Sequence, residues 1–197
     1  MNGNNYRELI IIKPDGVERE LVGEIISVFE KAGFTIEKLQ KTILTDKIVK
    51  LLYRDTKEQL TGMGEKTIKA MEEKGELDKL DELFGTRDPY KIGKQLIERQ
   101  RKFMTSGPVI AMIVDKENAP SDARKIVGNT DPAKAEKGTI RGDFGNDSIY
   151  IANGEKRAVH NLVHASDTEN AEYEIGIFEK YVFNLERLNY NNLDDYT

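Results

Sequence analysis

Several residue types are scarce or missing in this chain of 197 residues. It contains no cysteine, which excludes disulfide cross-links, iron–sulfur clusters, thiol catalysis and cysteine-based zinc sites. Its longest apolar runs, at 9–12 and 109–114, are far shorter than the about 18 residues that span a membrane. The polar start MNGNNYRE is not typical of a signal peptide. We therefore expect a soluble globular protein of the cytoplasm.

A basic excess is also missing. The chain has 35 acidic and 30 basic side chains, for a formal net charge of -5. Nucleic-acid-binding domains normally carry a clustered basic excess, so the charge balance argues against an RNA- or DNA-binding module. It does not exclude a local cationic pocket. Histidine is represented only by His160 and His164, which limits the candidates for histidine chemistry.

The hydrophobic pattern predicts an α+β fold. Runs rich in apolar residues predict strands at 8–13, 34–44, 107–115 and 158–164, and helical spacing predicts helices at 20–32, after Asp46, after Ser121 and from Ser166. Ser121 is a predicted N-cap, and Ser166 with Glu169 forms a predicted capping box. The segment 129–154 is predicted to be mostly loop. The element order is that of a ferredoxin-like βαββαβ layout with a four-stranded antiparallel sheet.

Two segments stand apart from this layout within a single domain, 1–197. Residues 54–102 carry 12 basic and 11 acidic side chains at helical spacing, which predicts an inserted helical excursion with a solvated face and no chemistry of its own. Within it, the glycines Gly64 and Gly93 begin near matches to a phosphate loop, but both lie in helical sequence. Residues 184–197 are polar and rich in asparagine, so we expect a C-terminal arm.

The best candidate for covalent chemistry is His164. It is predicted to follow a strand and to precede a helix N-terminus, where backbone N–H groups favour an anion. A neutral imidazole can accept a phosphoryl group. His160 is its rival, and a purely structural histidine is the alternative. Cations and polar groups that suit phosphate occur in predicted loops or at element ends: Lys13, Arg124, Thr130 and Arg141.

Four blocks of sequence resemble the nucleoside diphosphate kinases. They are IIKPDGVERELVGEIISVFEKAGF, SGPVIAMIV, ARKIVGNTDPAKAEKGTIRGDF and NLVHASD. The resemblance implies an enzyme that moves the γ-phosphate of a nucleoside triphosphate to a nucleoside diphosphate by a ping-pong route. It implies a phosphohistidine on His164, and an imidazole oriented by Glu174 near Ser166. The residues that it implies for nucleotide binding are Lys13, Tyr53, Arg124, Thr130, Arg141 and Asn161.

The resemblance also carries expectations about metal and assembly. Mg²⁺ would ride on the nucleotide phosphates, with no metal ligands from the protein. The chain would form a homohexamer or a tetramer, with contacts through residues 129–138 and the C-terminal arm. The aromatic residue that stacks on the base is left open between Phe84 and Phe103. A second reading is a regulatory or scaffold protein of the same fold that binds nucleotides without efficient turnover.

Two local features of the resemblance need the structure to resolve them. Asn161 and His164 are separated by an odd number of residues, so a regular strand would point them to opposite faces. A bend near Leu162 is therefore predicted if both line one site. The link from Ser166 to Glu174 is one residue shorter than is usual in the family, so Glu174 must reach the imidazole differently or its helix must begin earlier.

Overall fold

A four-stranded antiparallel sheet forms the centre of the protein, in a computed structural model that describes residues 6–184. Its strands are β1 (Arg7–Ile12), β2 (Thr35–Ile43), β3 (Pro108–Asp115) and β4 (Val163–Ala165), and their order across the sheet is β2-β3-β1-β4. All three pairings are antiparallel. The predicted α+β, ferredoxin-like fold is therefore confirmed.

Helices cover both faces of the sheet. They are α1 (Pro14–Glu18), α2 (Val22–Lys31), α3 (Asp46–Leu52), α4 (Lys57–Glu72), α5 (Lys79–Phe84), α6 (Pro89–Met104), α7 (Ala119–Val127), α8 (Ile140–Phe144), α9 (Ile149–Gly154) and α10 (Ala171–Tyr181), with a 3₁₀ turn at Pro132–Lys134. No helix among residues 6–184 is long and apolar enough to cross a bilayer.

The central strands are buried on both faces, which explains their continuous apolar sequence. On β1, Leu9 and Ile11 pack in one cluster with residues of α3 and α10. Ile10 and Ile12 point to the other face and pack with residues of α2 and α7. His164 on β4 lies directly opposite Ile11, so the first of these faces is the one that carries the histidine.

Three predicted helix starts are wrong. Thr45, not Asp46, caps α3, with its side chain accepting from the Ile48 N–H at 3.4 Å. Helix α7 begins at Ala119, before Ser121, because Pro120 suits a first helical turn. The predicted capping box at Ser166 does not form, and α10 begins only at Ala171.

The region before β4 also differs from its prediction. Instead of mostly loop, residues 129–154 hold the 3₁₀ turn, α8 and α9. The hydroxyls of Thr139 and Ser148 cap α8 and α9, and these helices are too short to produce a readable periodicity. The predicted strand at 158–164 is reduced to Val163–Ala165, because a tight turn at Leu162 interrupts it.

The insertion has a small core of its own, formed by Met71, Leu80, Phe84 and Ile92. Its long helices α4 and α6 cross at two glycines. A Cβ atom at Gly64 would lie 1.9 Å from the Pro89 carbonyl oxygen, and one at Gly93 would lie 1.9 Å from the Leu60 oxygen. The two near matches to a phosphate loop are thus helix-packing glycines. The predicted C-terminal arm lies outside the described residues, apart from Asn184.

We predict opposite effects for two alanine substitutions on α4. Gly64→Ala forces the helices apart and should destabilise the protein by about 1–3 kcal/mol, as overpacking does. Gly62→Ala is its matched control, because no atom lies within 4 Å of the added Cβ, and it should stabilise by about 0.5–1 kcal/mol through helix propensity. Urea unfolding at fixed protein concentration measures both. Equal effects of the two substitutions would contradict the close helix contact.

Candidate active site

A strained turn at Leu162 shapes the site. Leu162 has a φ of 67°, and the Val163 N–H donates to the Asn161 carbonyl at 2.7 Å, which is the classic γ-turn geometry. Two neighbours hold it: the Leu162 N–H donates to the Asp15 carboxylate at 3.0 Å, and the Lys13 N–H donates to the Leu162 carbonyl at 2.8 Å. This is the bend that the spacing of Asn161 and His164 predicted.

Arg141 fastens the same turn from the other side. Its guanidinium donates to the carbonyls of Asn161 at 2.9 Å, Gly128 at 2.9 Å and Val163 at 2.6 Å. A guanidinium has five N–H donors, so these bonds leave two for another partner. Burial lowers the pKa of Arg141 to about 10, and the nearby charge of Arg124 acts in the same direction.

Lys13 is buried next to this turn. Its Nζ donates to the Asn161 side-chain oxygen at 2.7 Å, and the Asn161 amide nitrogen donates to the Thr130 carbonyl at 2.9 Å. Burial lowers the pKa of Lys13 to about 7, helped by the charge of Arg141 and opposed by that of Asp15. Lys13 is therefore only partly charged at neutral pH before an anion binds.

His164 is oriented by a carboxylate. Its Nε2 lies 2.7 Å from Glu174 Oε2, and the Ser166 hydroxyl donates to the same oxygen at 2.5 Å. Because a carboxylate only accepts, this contact places the imidazole proton on Nε2 and leaves a lone pair on Nδ1. Nδ1 has no hydrogen-bond partner within residues 6–184. The shorter link therefore does not prevent Glu174 from reaching the histidine.

Tyr53 connects this histidine to the insertion. Its ring meets the His164 ring edge-on, with centroids 5.8 Å apart. From α6, Gln100 donates to the Tyr53 hydroxyl at 3.3 Å and Arg101 donates to the Tyr53 carbonyl at 2.6 Å. Burial raises the pKa of Tyr53. The insertion thus supports a site residue, which its charge pattern alone did not indicate.

His160 lies in a different environment. Its ring stacks on Phe103 of α6, with centroids 4.7 Å apart and an angle of 21° between the rings. Its backbone N–H donates to the Asp147 carboxylate at 2.8 Å. Of the two aromatic candidates for stacking on a base, Phe103 thus already has a ring partner, and Phe84 is buried in the core of the insertion.

Sequence reasoning missed two buried carboxylates. Asp15, in the sequence Pro14-Asp15-Gly16 that is typical of a turn, accepts from the Leu162 backbone N–H. Glu8 on β1 is fully buried and accepts from the Ser166 N–H at 2.6 Å. Burial raises the pKa of Glu8 to about 8. The available signal was a carboxylate directly before the apolar run 9–12 of a buried strand, because a buried carboxylate requires a partner or a proton.

The fold and the site together define a ferredoxin-like α+β protein with an oriented, partly buried histidine directly after a turn that Lys13 and Arg141 hold, and the charge of Arg124 acts on Arg141. Such a group of cations is suited to phosphate. A sequence model described as nucleoside diphosphate kinase matches residues 6–90 and 86–182. The chain therefore belongs to the nucleoside diphosphate kinase family, whose members are nucleotide-binding phosphotransferases.

Individual relatives agree with this assignment. A nucleoside diphosphate kinase of Pyrobaculum aerophilum is 44% identical over 170 residues, which is 86% of this chain and 92% of the relative. One from Methanococcus maripaludis is 36% identical over 87% of this chain and 96% of its own length. The crystal structure of an NDP kinase from P. aerophilum superposes with a TM-score of 0.83 at 41% identity, covering 88% of this chain and 94% of that one.

A more distant structure is also similar. It is a transition-state mimic of the nucleoside-diphosphate kinase from Borrelia burgdorferi, with bound vanadate and ADP. It superposes with a TM-score of 0.67 at 26% identity over 87% of this chain and 85% of that one.

Proposed function

We propose that the protein transfers the γ-phosphoryl group of a nucleoside triphosphate to a nucleoside diphosphate through a phosphohistidine on Nδ1 of His164. The observation that carries this proposal is the contact between His164 Nε2 and Glu174, which leaves Nδ1 with a lone pair and without a partner among residues 6–184. His160 lacks this support, because its ring stacks on Phe103 and no carboxylate contacts its ring nitrogens in the described chain.

The reaction proceeds in two phosphoryl transfers, the first to His164 and the second from it. In the first, the Nδ1 lone pair attacks the γ-phosphorus, and the bond from that phosphorus to the β–γ bridging oxygen breaks. The electron pair leaves with the nucleoside diphosphate. In the second half, a terminal β-phosphate oxygen of another diphosphate attacks the same phosphorus and releases His164. Glu174 keeps the proton on Nε2 and stabilises the positive charge that the imidazole develops.

The remaining site residues position the phosphates and offset their charge. Phosphoryl transfer depends mainly on such positioning and charge neutralisation. Lys13 and the two unused N–H groups of Arg141 flank the Leu162 turn, and Arg124 supplies a further cation from α7. Asn161 fixes the Lys13 ammonium, while Thr130 and Tyr53 lie next to these groups and complete the nucleotide site.

Mg²⁺ enters this proposal as part of the substrate. Within residues 6–184, no group of three or more histidine, aspartate or glutamate side chains is placed to hold a metal ion. We infer that Mg²⁺ arrives on the β- and γ-phosphates of the nucleotide. The vanadate and ADP bound to the B. burgdorferi relative support nucleotide phosphates as the ligand.

We also propose a homohexamer, with a tetramer as the alternative assembly. Strand β2 lies at an edge of the sheet and exposes large apolar side chains there, with Leu39 48% and Ile43 65% exposed. Exposed apolar side chains on an edge strand are suited to contact with a second copy of the chain. Multi-angle light scattering should give a mass of four or six chains, and a monomer would contradict this proposal.

Phosphorylation should depend on His164 alone. Incubation with γ-labelled ATP should give a label on the wild-type protein that is acid-labile and base-stable, and added GDP should remove it as GTP. His164→Ala should carry no label, because it lacks the nucleophile. His160→Ala is the matched control and should be labelled normally. Label that persists in His164→Ala would overturn the assignment, and loss of label in His160→Ala alone would identify His160 instead.

Nucleotide binding should take up a proton above pH 7. Lys13 has a pKa of about 7 in the free site, and a bound phosphate raises that pKa, so Lys13 gains a proton on binding. Affinity for ADP should therefore fall by up to about tenfold per pH unit above pH 7. Calorimetry at pH 8 in two buffers of different ionisation heat should show nearly one proton taken up, and Lys13→Met should abolish it. Equal heats for the wild type in both buffers would refute the prediction.

A further inference from the structure

Glu8 is a buried carboxylate for which the proposed reaction has no role so far. We propose that Glu8 is a positioning residue for phosphoryl transfer, which in its neutral form holds His164 in place through Ser166 and Glu174. This proposal rests on the proposed phosphohistidine function. It assigns to Glu8 no contact with the nucleotide or with the reacting atoms.

A short chain of hydrogen bonds links Glu8 to the histidine. Glu8 Oε1 accepts from the Ser166 N–H at 2.6 Å, and the Ser166 hydroxyl donates to Glu174 Oε2. That same oxygen contacts His164 Nε2. Glu8 and Ser166 are 0% and 1% exposed, so water does not compete for these bonds. A shift of the Ser166 backbone therefore moves the oxygen that orients the imidazole.

The bond to Glu8 also explains why Ser166 does not cap helix α10. The Ser166 N–H is directed at Glu8 and its hydroxyl at Glu174, so neither group serves the helix. Instead, Asp167 accepts from the Asn170 N–H through its side chain at 3.2 Å, and its carbonyl accepts from the Ala171 N–H at 3.0 Å. Ser166 thus bridges two carboxylates that lie on opposite faces of the sheet.

The surroundings of Glu8 favour its neutral form. Its second oxygen, Oε2, is buried and has no partner in the described part of the chain. The charged groups that act on it are Glu174 from α10, which repels a negative charge, and Arg124 from α7, which attracts one. Across the sheet, β3 presents the apolar Val114. Burial is the largest effect and raises the pKa of Glu8 to about 8.

Ionisation of Glu8 would disturb the histidine in two ways. A buried negative charge with an unpaired oxygen favours a rearrangement that brings in water. The charge of Glu8 would also add to that of Glu174, which contacts His164. The two negative charges together would repel the anionic phosphoryl group that approaches the histidine. Phosphorylation of His164 should therefore slow as the pH rises through about 8, while nucleotide binding is affected by the separate titration of Lys13.

The test compares substitutions at Glu8 in single-turnover phosphorylation with saturating ATP, from pH 6 to pH 9. Glu8→Gln keeps an oxygen acceptor for the Ser166 N–H but cannot ionise, whereas Glu8→Leu removes the acceptor. Leu80→Ala, in the core of the insertion, is the control for general destabilisation. All variants share Lys13 and His164, so differences between the profiles report on Glu8.

Three results are expected. Glu8→Leu should lower the phosphorylation rate about tenfold at every pH, with little change in the KM for ATP, because a misplaced imidazole affects the chemical step. Glu8→Gln should recover most of that rate and lack the decline that the wild type shows above pH 8. Leu80→Ala should follow the wild-type profile. The proposal is overturned if Glu8→Leu matches the wild-type rate, or if Glu8→Gln keeps the alkaline decline.

A second measurement separates this proposal from the proposed function. Nitrogen NMR of the His164 ring reports its tautomer without any turnover. Glu8→Leu should reduce the population with the proton on Nε2, and Glu8→Gln should preserve it. If the wild type forms no phosphohistidine, the proposed function fails, whereas an unchanged tautomer in Glu8→Leu shows that Glu8 does not position the histidine.

Discussion

The geometry of the site depends on the left-handed backbone of Leu162. A leucine in this conformation costs on the order of 1–3 kcal/mol, and such strain persists only where the surroundings enforce it. Here the enforcement comes from Asp15, from the backbone of Lys13 and from Arg141. Without the turn, Asn161 and His164 would lie on opposite faces of the sheet. Many of the buried polar groups next to β4 therefore serve to hold the backbone of residues 161–163 in this turn.

Burial also sets the charge of the site before nucleotide binds. Lys13 and Glu8 have opposite formal charges, yet desolvation moves both toward their neutral forms near physiological pH. A count of ionisable residues from the sequence thus overstates the charge in the pocket. The same effect makes the site responsive to its ligand, because an anion near Lys13 restores the charge that burial suppresses. The net charge of -5 over the whole chain says nothing about this local balance.

The fold could be predicted from the sequence, because long apolar strands carry their own local signal, whereas the roles of the site residues follow from the family resemblance and stay predictions. The bend at Leu162 was predictable once the resemblance placed Asn161 and His164 in one site, since the side chains of a regular strand alternate. The helix caps were not, because adjacent polar residues such as Thr45 and Asp46 are both suited to capping, and because Ser166 is bonded to Glu8 and Glu174 and does not cap a helix. The role of Glu8 depends on a contact across 158 positions, which no local pattern contains.

The support of Tyr53 by the insertion shows a similar limit. Alternating charges predicted the solvated faces of α4 and α6, but the few inward residues, Gln100 and Arg101, contact the site. Both residues contact Tyr53 across about 47 positions of sequence, and a local charge pattern does not contain such a contact.

The glycine crossing of α4 and α6 explains how so charged a segment can fold. The backbones of α4 and α6 are in contact at these glycines. Dispersion forces between their main-chain atoms therefore contribute to packing that large side chains usually provide. The segment therefore requires only a few apolar residues inside, and most of its outer positions are released from any packing constraint. Substitutions at those outer positions should leave the shape of the segment unchanged, provided that the two glycines and the small buried core remain.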